Sequence, residues 1–436
     1  MKRLVEKQLI DWKNSSDRKP LVLRGARQVG KTWLVEKSLG STFDHIAVVD
    51  FEEHPEVHKH FEHSLTPQLL LQAIEFITGK IVPGKTLLFF DEIQACPRAI
   101  MALRYFYEKM PELHVVAAGS LLEFAFDQIS VPVGRVEYLY VSPMTFYEYL
   151  LAVGKVVIAD KLFVHPEQLA PELQMDILRE LKSYFLVGGM PEAVKKFTES
   201  NSFVDVFKIQ DNIIDSYRQD FHKYKPHIAT ESLDAVFEYV GKNVGQQLKY
   251  THLDQSHSYQ TNQKAFNLLV KAMVVHKIPS TDPSGLPLGS SISKKFKACM
   301  LDIGLMQRLC EMDMTLEWNQ DSLLAMYRGK LAEQYVAQEL IAWHSRNLYC
   351  WMRNAKSSNA EVDYLAVRDG RIYPVEVKSG PSGRLRSLHL CLEKYPNCPA
   401  GWVLQDGVYE ELSEQKLVFW PLYATSQLGS GQRLTS

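Results

Sequence analysis

The sequence has no C-x-x-C pair, no surplus of positive charge and no long apolar run. Its six cysteines (Cys96, Cys299, Cys310, Cys350, Cys391 and Cys398) lie scattered over 436 residues. That scatter excludes a small secreted scaffold stapled by disulfides, and reduced core thiols of a cytoplasmic protein are expected. The formal net charge is -2, so a whole-chain signature for nucleic acid is missing and any such contact must come from a local patch. The apolar segments near Leu121 and Val156 are short and broken by charge, so no membrane span is expected. Met1 to Lys7 lacks an apolar h-region, so no secretory signal is expected. What the chain does have is core material. Hydrophobic residues make up 46% and charged residues 23%, an ordinary globular balance over a length that suits about three domains.

One stretch organises the rest. Gly25-Ala26-Arg27-Gln28-Val29-Gly30-Lys31-Thr32 fits the phosphate-cradling pattern G-x-x-x-x-G-K-[ST]. The apolar run Pro20–Leu23 precedes it and Trp33–Lys37 follows, which is the strand, loop and helix that the pattern needs. The glycines let backbone N–H groups close on phosphate oxygens, and a helix starting near Gly30 adds its positive end. Lys31 is placed to reach the β- and γ-phosphates of ATP and the Thr32 hydroxyl to hold Mg²⁺. The nucleotide-binding candidates are Gly25 to Thr32, with Trp33 as the next residue.

His45–Phe51 reads as a second buried strand. His54 and His58 follow at i,i+4, a spacing that suits a metal pair, but no third ligand accompanies them and a solvated polar face is expected. Thr86-Leu87-Leu88-Phe89-Phe90-Asp91-Glu92 is a continuous apolar run ending in two acids, as in a strand buried on both faces of a parallel sheet. The carboxyl end of such a strand is where ligands bind. Asp91 then holds Mg²⁺ through water and Glu92 polarises the attacking water; the plain alternative is an acidic helix cap. Leu113–Ser120 is a third such strand, with Ser120 either a γ-phosphate sensor or a turn serine. Strands alternating with helical stretches predict a doubly wound α/β core.

Several motifs occur in order: Arg24–Thr32, Phe90-Asp91-Glu92-Ile93-Gln94, Gly119-Ser120, Val133-Gly134-Arg135, Pro143–Tyr149, Tyr184–Glu192, Lys294–Leu305 and Glu376-Val377-Lys378-Ser379-Gly380. Together they resemble the prokaryotic AAA-superfamily ATPases with a DUF4143-type C-terminal half. The resemblance implies an AAA-type ATPase core over 1–150, a helical lid over 151–225, a winged-helix-like segment over 226–310 and a nuclease-like domain over 311–436. Arg135 matches the family's Gly-Arg position. Its guanidinium suits phosphate, in cis or across a subunit interface of a homo-oligomer, and equally an ordinary surface.

Glu172–Leu186 has apolar residues at helical spacing and ends at Gly188-Gly189. Residues 228–250 and 261–275 read as helices, with Thr261-Asn262 as N-cap residues, and Pro279–Ser293 as a wing. Lys264, Lys271, Lys294, Lys295 and Lys297 supply only a slight basic footprint for DNA; a protein-contact or structural role fits as well.

Near the other end, Gly329–Leu340 reads as a helix with the apolar stripe Ala332, Val336, Leu340 and Trp343, and Glu333 beside it. Glu361–Val367 and Arg371–Lys378 read as strands joined by the hairpin turn Asp369-Gly370. Two acids and a lysine on paired strands with a helical Glu nearby, namely Asp363, Glu376, Lys378 and Glu333, resemble the PD-(D/E)xK nuclease core. There the carboxylates hold Mg²⁺ and Lys378 positions the nucleophile or stabilises the developing charge. The alternative is the charged outer face of an ordinary hairpin. The sequence thus predicts an ATP-hydrolysing, Mg²⁺-dependent protein whose nucleotide state governs a nuclease-like module acting on DNA. The second reading is a nucleotide-dependent switch that binds nucleic acid or a partner protein without cutting.

Overall fold

The computed structural model describes residues 1–120, 122–126, 134–221, 230–310, 329–344, 347–353, 360–378 and 385–428. Val133, Ser379 and Gly380 of the family motifs lie outside them. The chain divides into two compact units, one of Lys2–Ser142 with Lys271–Met273, the other of Pro143–Val270 and Val274–Ser436 with Met1.

The first unit is an α/β layer structure around a five-stranded sheet in the order β2-β3-β4-β1-β5. The strands are β1 Leu21–Arg24, β2 His45–Asp50, β3 Thr86–Asp91, β4 His114–Gly119 and β5 Glu137–Tyr140. All neighbours pair in parallel. β3 and β4 are buried at every position, as expected for central strands covered on both faces. β2 differs from its expected full burial. It is the sheet edge and buries only alternate side chains, Ala47 and Val49. Phe51, Phe61, Phe90 and Phe106 pack at centroid distances of 5.4 to 6.0 Å and close one face. Because β1, β4 and β3 are neighbours, their carboxyl ends open side by side, and the segments after Arg24, Asp91 and Gly119 meet there.

The second unit joins a run of helices to a mixed sheet in the order β12-β13-β11-β10-β9-β8-β6-β7. The helices Phe146–Ala152, Pro171–Val187, Pro191–Ser200 and Phe203–Asp220 come first. The helix over 261–271 begins earlier than expected, at Tyr259. Thr261 and Asn262 are therefore inside it. Ser258 Oγ accepts from Thr261 N instead, and the buried Asn262 amide donates to Tyr250 O and Asp254 O. β6 Val275–Thr281 and β7 Ile292–Met300 form an antiparallel hairpin. Rather than standing apart as a wing, it extends the C-terminal sheet through Ser280 against Cys350 of β8, Tyr349–Met352. β9 Glu361–Arg368 and β10 Arg371–Lys378 pair as expected, with Asp369 and Gly370 both at positive φ in the turn. The helix Arg386–Lys394 carries the chain from β10 to the parallel β11, Gly401–Gln405, and β12 Glu410–Leu412 and β13 Leu417–Pro421 finish the sheet.

The helix Lys330–Trp343 departs from the one-striped expectation. Leu331, Ala332, Gln334–Leu340 are all buried, so it is enclosed on most sides and its polar residues need internal partners. Gln334 bonds both the N–H and the C=O of Met300, and Gln338 bonds Ile303 N. Among the described residues no helix is long and apolar enough to cross a membrane.

Candidate nucleotide site and a lysine-centred carboxylate cluster

The loop after β1 has the geometry that its residue types dictate. A Cβ on Gly25 would lie 2.3 Å from Val141 O, so only glycine allows this approach. Gly30 has φ 92° and opens the helix Lys31–Trp33, which continues as a π-helical turn over Leu34–Leu39. Gln28, at φ 65°, is also left-handed, a strain that phosphate loops use to turn backbone N–H groups inward. Lys31 is only 6% exposed and its Nζ donates to Gly25 O at 3.0 Å and Ala26 O at 2.8 Å. The ammonium thus lies in the hollow of the loop, and burial pushes it down to about 8.

The acids follow at the neighbouring strand end. Thr32 Oγ1 donates to Asp91 Oδ2 at 2.7 Å, and Glu92 N donates to Asp91 Oδ1 at 3.0 Å. Burial holds the Asp91 carboxyl above its ordinary range. Glu92 sits at φ 43°, and its Oε2 accepts from Gln94 Nε2 and from Ser120 Oγ at 3.3 Å. Thr32, Asp91, Glu92 and Ser120 are thereby gathered by one hydrogen-bonded set, and Lys31 lies in the adjoining loop. A hydroxyl and a carboxylate in contact are the hard oxygen donors that Mg²⁺ takes, and a lysine in a carbonyl-lined hollow fits a phosphate neighbour. The residues therefore suit ATP with Mg²⁺.

Other candidates lie further out. Trp33 is 40% exposed. Arg135 is exposed and donates to Glu108 Oε1 at 3.0 Å, a carboxylate it shares with Arg104. His54 pairs with Glu56 and His58 bonds Phe51 O, so the two rings have separate partners. Two residues escape pattern reading. Gln94 orients Glu92. Arg3 donates to Val29 O at 3.0 Å and Ser142 O at 2.6 Å, tying the loop to the end of this unit. Nothing local in Arg3's surroundings signals that role, whereas Gln94 stands two residues after Glu92.

In the C-terminal unit Glu333, Asp363, Glu376 and Lys378 do come together. Pro374 pairs with Leu365, so alternation puts Asp363 and Glu376 on the same face. Asp363 Oδ2 accepts from Val377 N at 2.9 Å, and Lys378 Nζ donates to Glu376 Oε1 at 2.7 Å. A further residue stands among them. Lys297 of β7, 1% exposed, places Nζ 2.8 Å from Asp363 Oδ1, 3.4 Å from Glu361 Oε1 and 3.6 Å from Glu333 Oε2. This corrects its sequence reading as part of a basic DNA-facing footprint, because a buried lysine offers no charge to DNA. The clue was its place in the apolar end of a strand, between Phe296 and Ala298-Cys299-Met300. Burial pulls the Lys297 ammonium down, and Asp363, Glu333 and Glu361 more than offset this, leaving it well above its ordinary value. Burial, reinforced by Asp363, raises Glu333 well above the carboxylate range and Glu376 to about 8. An ammonium thus stands beside Glu333 and Asp363, two of the residues that the sequence offered as Mg²⁺ ligands. Among the described residues, no group of three or more His, Cys, Asp or Glu side chains is arranged to hold a metal ion.

Comparison with known families matches residues 17–150 to an AAA domain, residues 178–316 to the domain of unknown function DUF8612, and residues 328–424 to the domain of unknown function DUF4143. No curated protein matches the sequence. Similar solved structures include the Walker-type ATPase PABY2304 of Pyrococcus abyssi, at 14% identity over 71% of this chain and 95% of that one, TM-score 0.45. Another is the RuvB Holliday junction branch migration motor of Thermotoga maritima, at 15% identity over 63% of this chain and 89% of that one, TM-score 0.31. PCH-2 of C. elegans is similar at 12% identity over 46% of this chain and 62% of that one, TM-score 0.28. Likeness this distant does not bear on activity. The phosphate loop and the acids that face it fall within the matched AAA domain, so the chain carries an AAA-superfamily P-loop domain at residues 17–150 and a DUF4143 domain at residues 328–424.

Proposed function

We propose that the chain is an ATP-hydrolysing, Mg²⁺-dependent switch whose nucleotide state controls a C-terminal module that binds a partner without cutting it. Lys31 in the hollow of the loop, together with the hydrogen-bonded set of Thr32, Asp91, Glu92 and Ser120, carries the ATPase reading. Loop N–H groups and Lys31 bind the β- and γ-phosphates, and Thr32 and Asp91 hold Mg²⁺, which neutralises charge on the phosphate oxygens. Glu92, oriented by Gln94 and Ser120, takes a proton from the attacking water. Lys31→Ala tests the assignment through phosphate release; unchanged ATP turnover would overturn it.

The second reading is a Mg²⁺-dependent nuclease acting on DNA, with Glu333, Asp363 and Glu376 as ligands and Lys378 beside the nucleophile. Convergence of these four residues supports it, and Lys297 at their centre favours the non-cleaving reading instead. A plasmid-nicking assay with Mg²⁺ or Mn²⁺, with and without ATP, separates the two. Nicking by wild type that disappears in Glu376→Ala with Lys378→Ala would replace the switch by the nuclease. The partner of a non-cleaving module is nucleic acid or protein, and Arg135 would serve a neighbouring subunit if the protein acts as a homo-oligomer. A cytoplasmic setting suits its reduced cysteines.

A further inference from the structure

We propose that Lys297 is the resident cation of the C-terminal carboxylate cluster, so that the cluster is assembled without a divalent metal and becomes a metal site only when this side chain is removed. The inference rests on the non-cleaving reading of the module, but it is measured by metal binding rather than by cleavage, so either can fail alone.

Three observations carry it. The first is charge. Glu333, Glu361 and Asp363 approach one another from a helix and a strand, Glu376 beside them being paired with Lys378, and neighbouring carboxylates repel unless a cation lies between them. Lys297 supplies that cation from another strand, with Asp363, Glu361 and Glu333 all within 3.6 Å of Nζ. The ammonium donates a hydrogen bond to Asp363 Oδ1 and stands within ion-pair distance of Glu361 and Glu333. The second is space. Mg²⁺ sits about 2.1 Å from its oxygen ligands, and Nζ already lies 2.8 Å from Asp363 Oδ1. An ion bridging Asp363 and Glu333 would need the volume that Nζ fills. The third is the lack of an exit. Lys297 is 1% exposed, with its Nζ held among the carboxylates and only Glu361 reaching toward solvent. Eviction by a metal would leave an ammonium buried and unpaired, which is far costlier than its present pairing. Lys297 also fastens the β6–β7 hairpin to β9 and to the start of the helix Lys330–Trp343, as a bridging metal otherwise would.

The test uses the full-length protein carrying Thr32→Val throughout, which removes a metal ligand from the nucleotide site, and Mn²⁺ as the probe because it takes carboxylate oxygens. With Lys297 intact, titration followed by the Mn²⁺ electron paramagnetic resonance signal is expected to show no saturable site that depends on Asp363. Melting is expected to be the same in EDTA and in Mn²⁺. Lys297→Met, which keeps bulk and removes charge, is expected to acquire a single saturable Mn²⁺ site, lost again in Lys297→Met with Asp363→Asn, and a melting temperature raised by Mn²⁺. Saturable binding by the Lys297-intact protein that Asp363→Asn or Glu376→Gln abolishes would overturn the proposal. So would a folded Lys297→Met that binds no Mn²⁺. If Lys297→Met fails to fold, the Lys297-intact titration decides alone.

Discussion

Among the described residues the chain buries a lysine beside carboxylates twice, and the two places behave differently. In the phosphate loop Lys31 turns to the carbonyls of Gly25 and Ala26 while Asp91 bonds the Thr32 hydroxyl. In the C-terminal cluster Lys297 meets its acids directly, with Asp363 at 2.8 Å. The electrostatic consequence is opposite. Lys31 is pushed down to about 8 by burial, whereas Lys297 is held well above its ordinary value. A lysine kept from its carboxylates retains unmet affinity for an anion; one paired with them has none to offer. The same residue type thus marks a binding site in one place and a structural tie in the other.

Removing either lysine breaks the comparison most severely. Lys31→Ala is expected to lower ATP turnover by about 10²- to 10³-fold, read as phosphate release. Glu92→Gln should lower it by roughly 10²- to 10⁴-fold while nucleotide binding persists, which equilibrium titration with a fluorescent ATP analogue checks. At the structural tie the effect falls on stability. Asp363→Asn strips Lys297 of its nearest partner and is expected to cost about 3–5 kcal/mol in urea unfolding. Asp91→Asn, the matching change at the loop, leaves Lys31 its carbonyl partners and should cost only about 1 kcal/mol. Equal losses would show that the two lysines are held alike.

The pH dependence sharpens the contrast. Lys31, at about 8, is charged below that pH and neutral above it. ATP is anionic and prefers the charged form, so its affinity should weaken as pH rises through about 8; a flat profile would contradict the burial of Lys31. Glu376, at about 8 in the folded protein, lies near 4.3 when unfolded. The folded state then binds the extra proton between those values, so stability falls as pH rises across that window and levels off above it. Glu376→Gln should lessen this slope, leaving the part contributed by Glu333 and Glu339. The smallest effect belongs to Arg135→Ala. Its exposed pair with Glu108 is expected to leave the melting temperature nearly unchanged. A loss of turnover that depends on protein concentration would assign Arg135 to a neighbouring subunit's nucleotide.

Much of this was legible before folding was considered. Gly25 to Thr32 is a contiguous pattern whose backbone geometry depends on its own residues, and Asp91-Glu92 stands at the end of an unbroken apolar run. Asp369-Gly370 announced its hairpin for the same local reason. The misreadings have a common origin. β2 looked fully buried because apolar content says nothing of a strand's place in the sheet. Thr261-Asn262 looked like a cap because Asn suits caps, yet Asn262 found distant carbonyls inside the fold. Arg3 reached Val29 and Ser142 with no motif to mark it.

By itself the sequence determined the phosphate loop, the acids facing it and the alternation that puts Glu376 and Lys378 on one face of their strand, because each depends on neighbours in the chain. Only the tertiary structure decided what meets those acids. Lys297 and Asp363 are 66 positions apart, and the period of a strand fixes which side a residue points to, not which strand or helix will lie across from it.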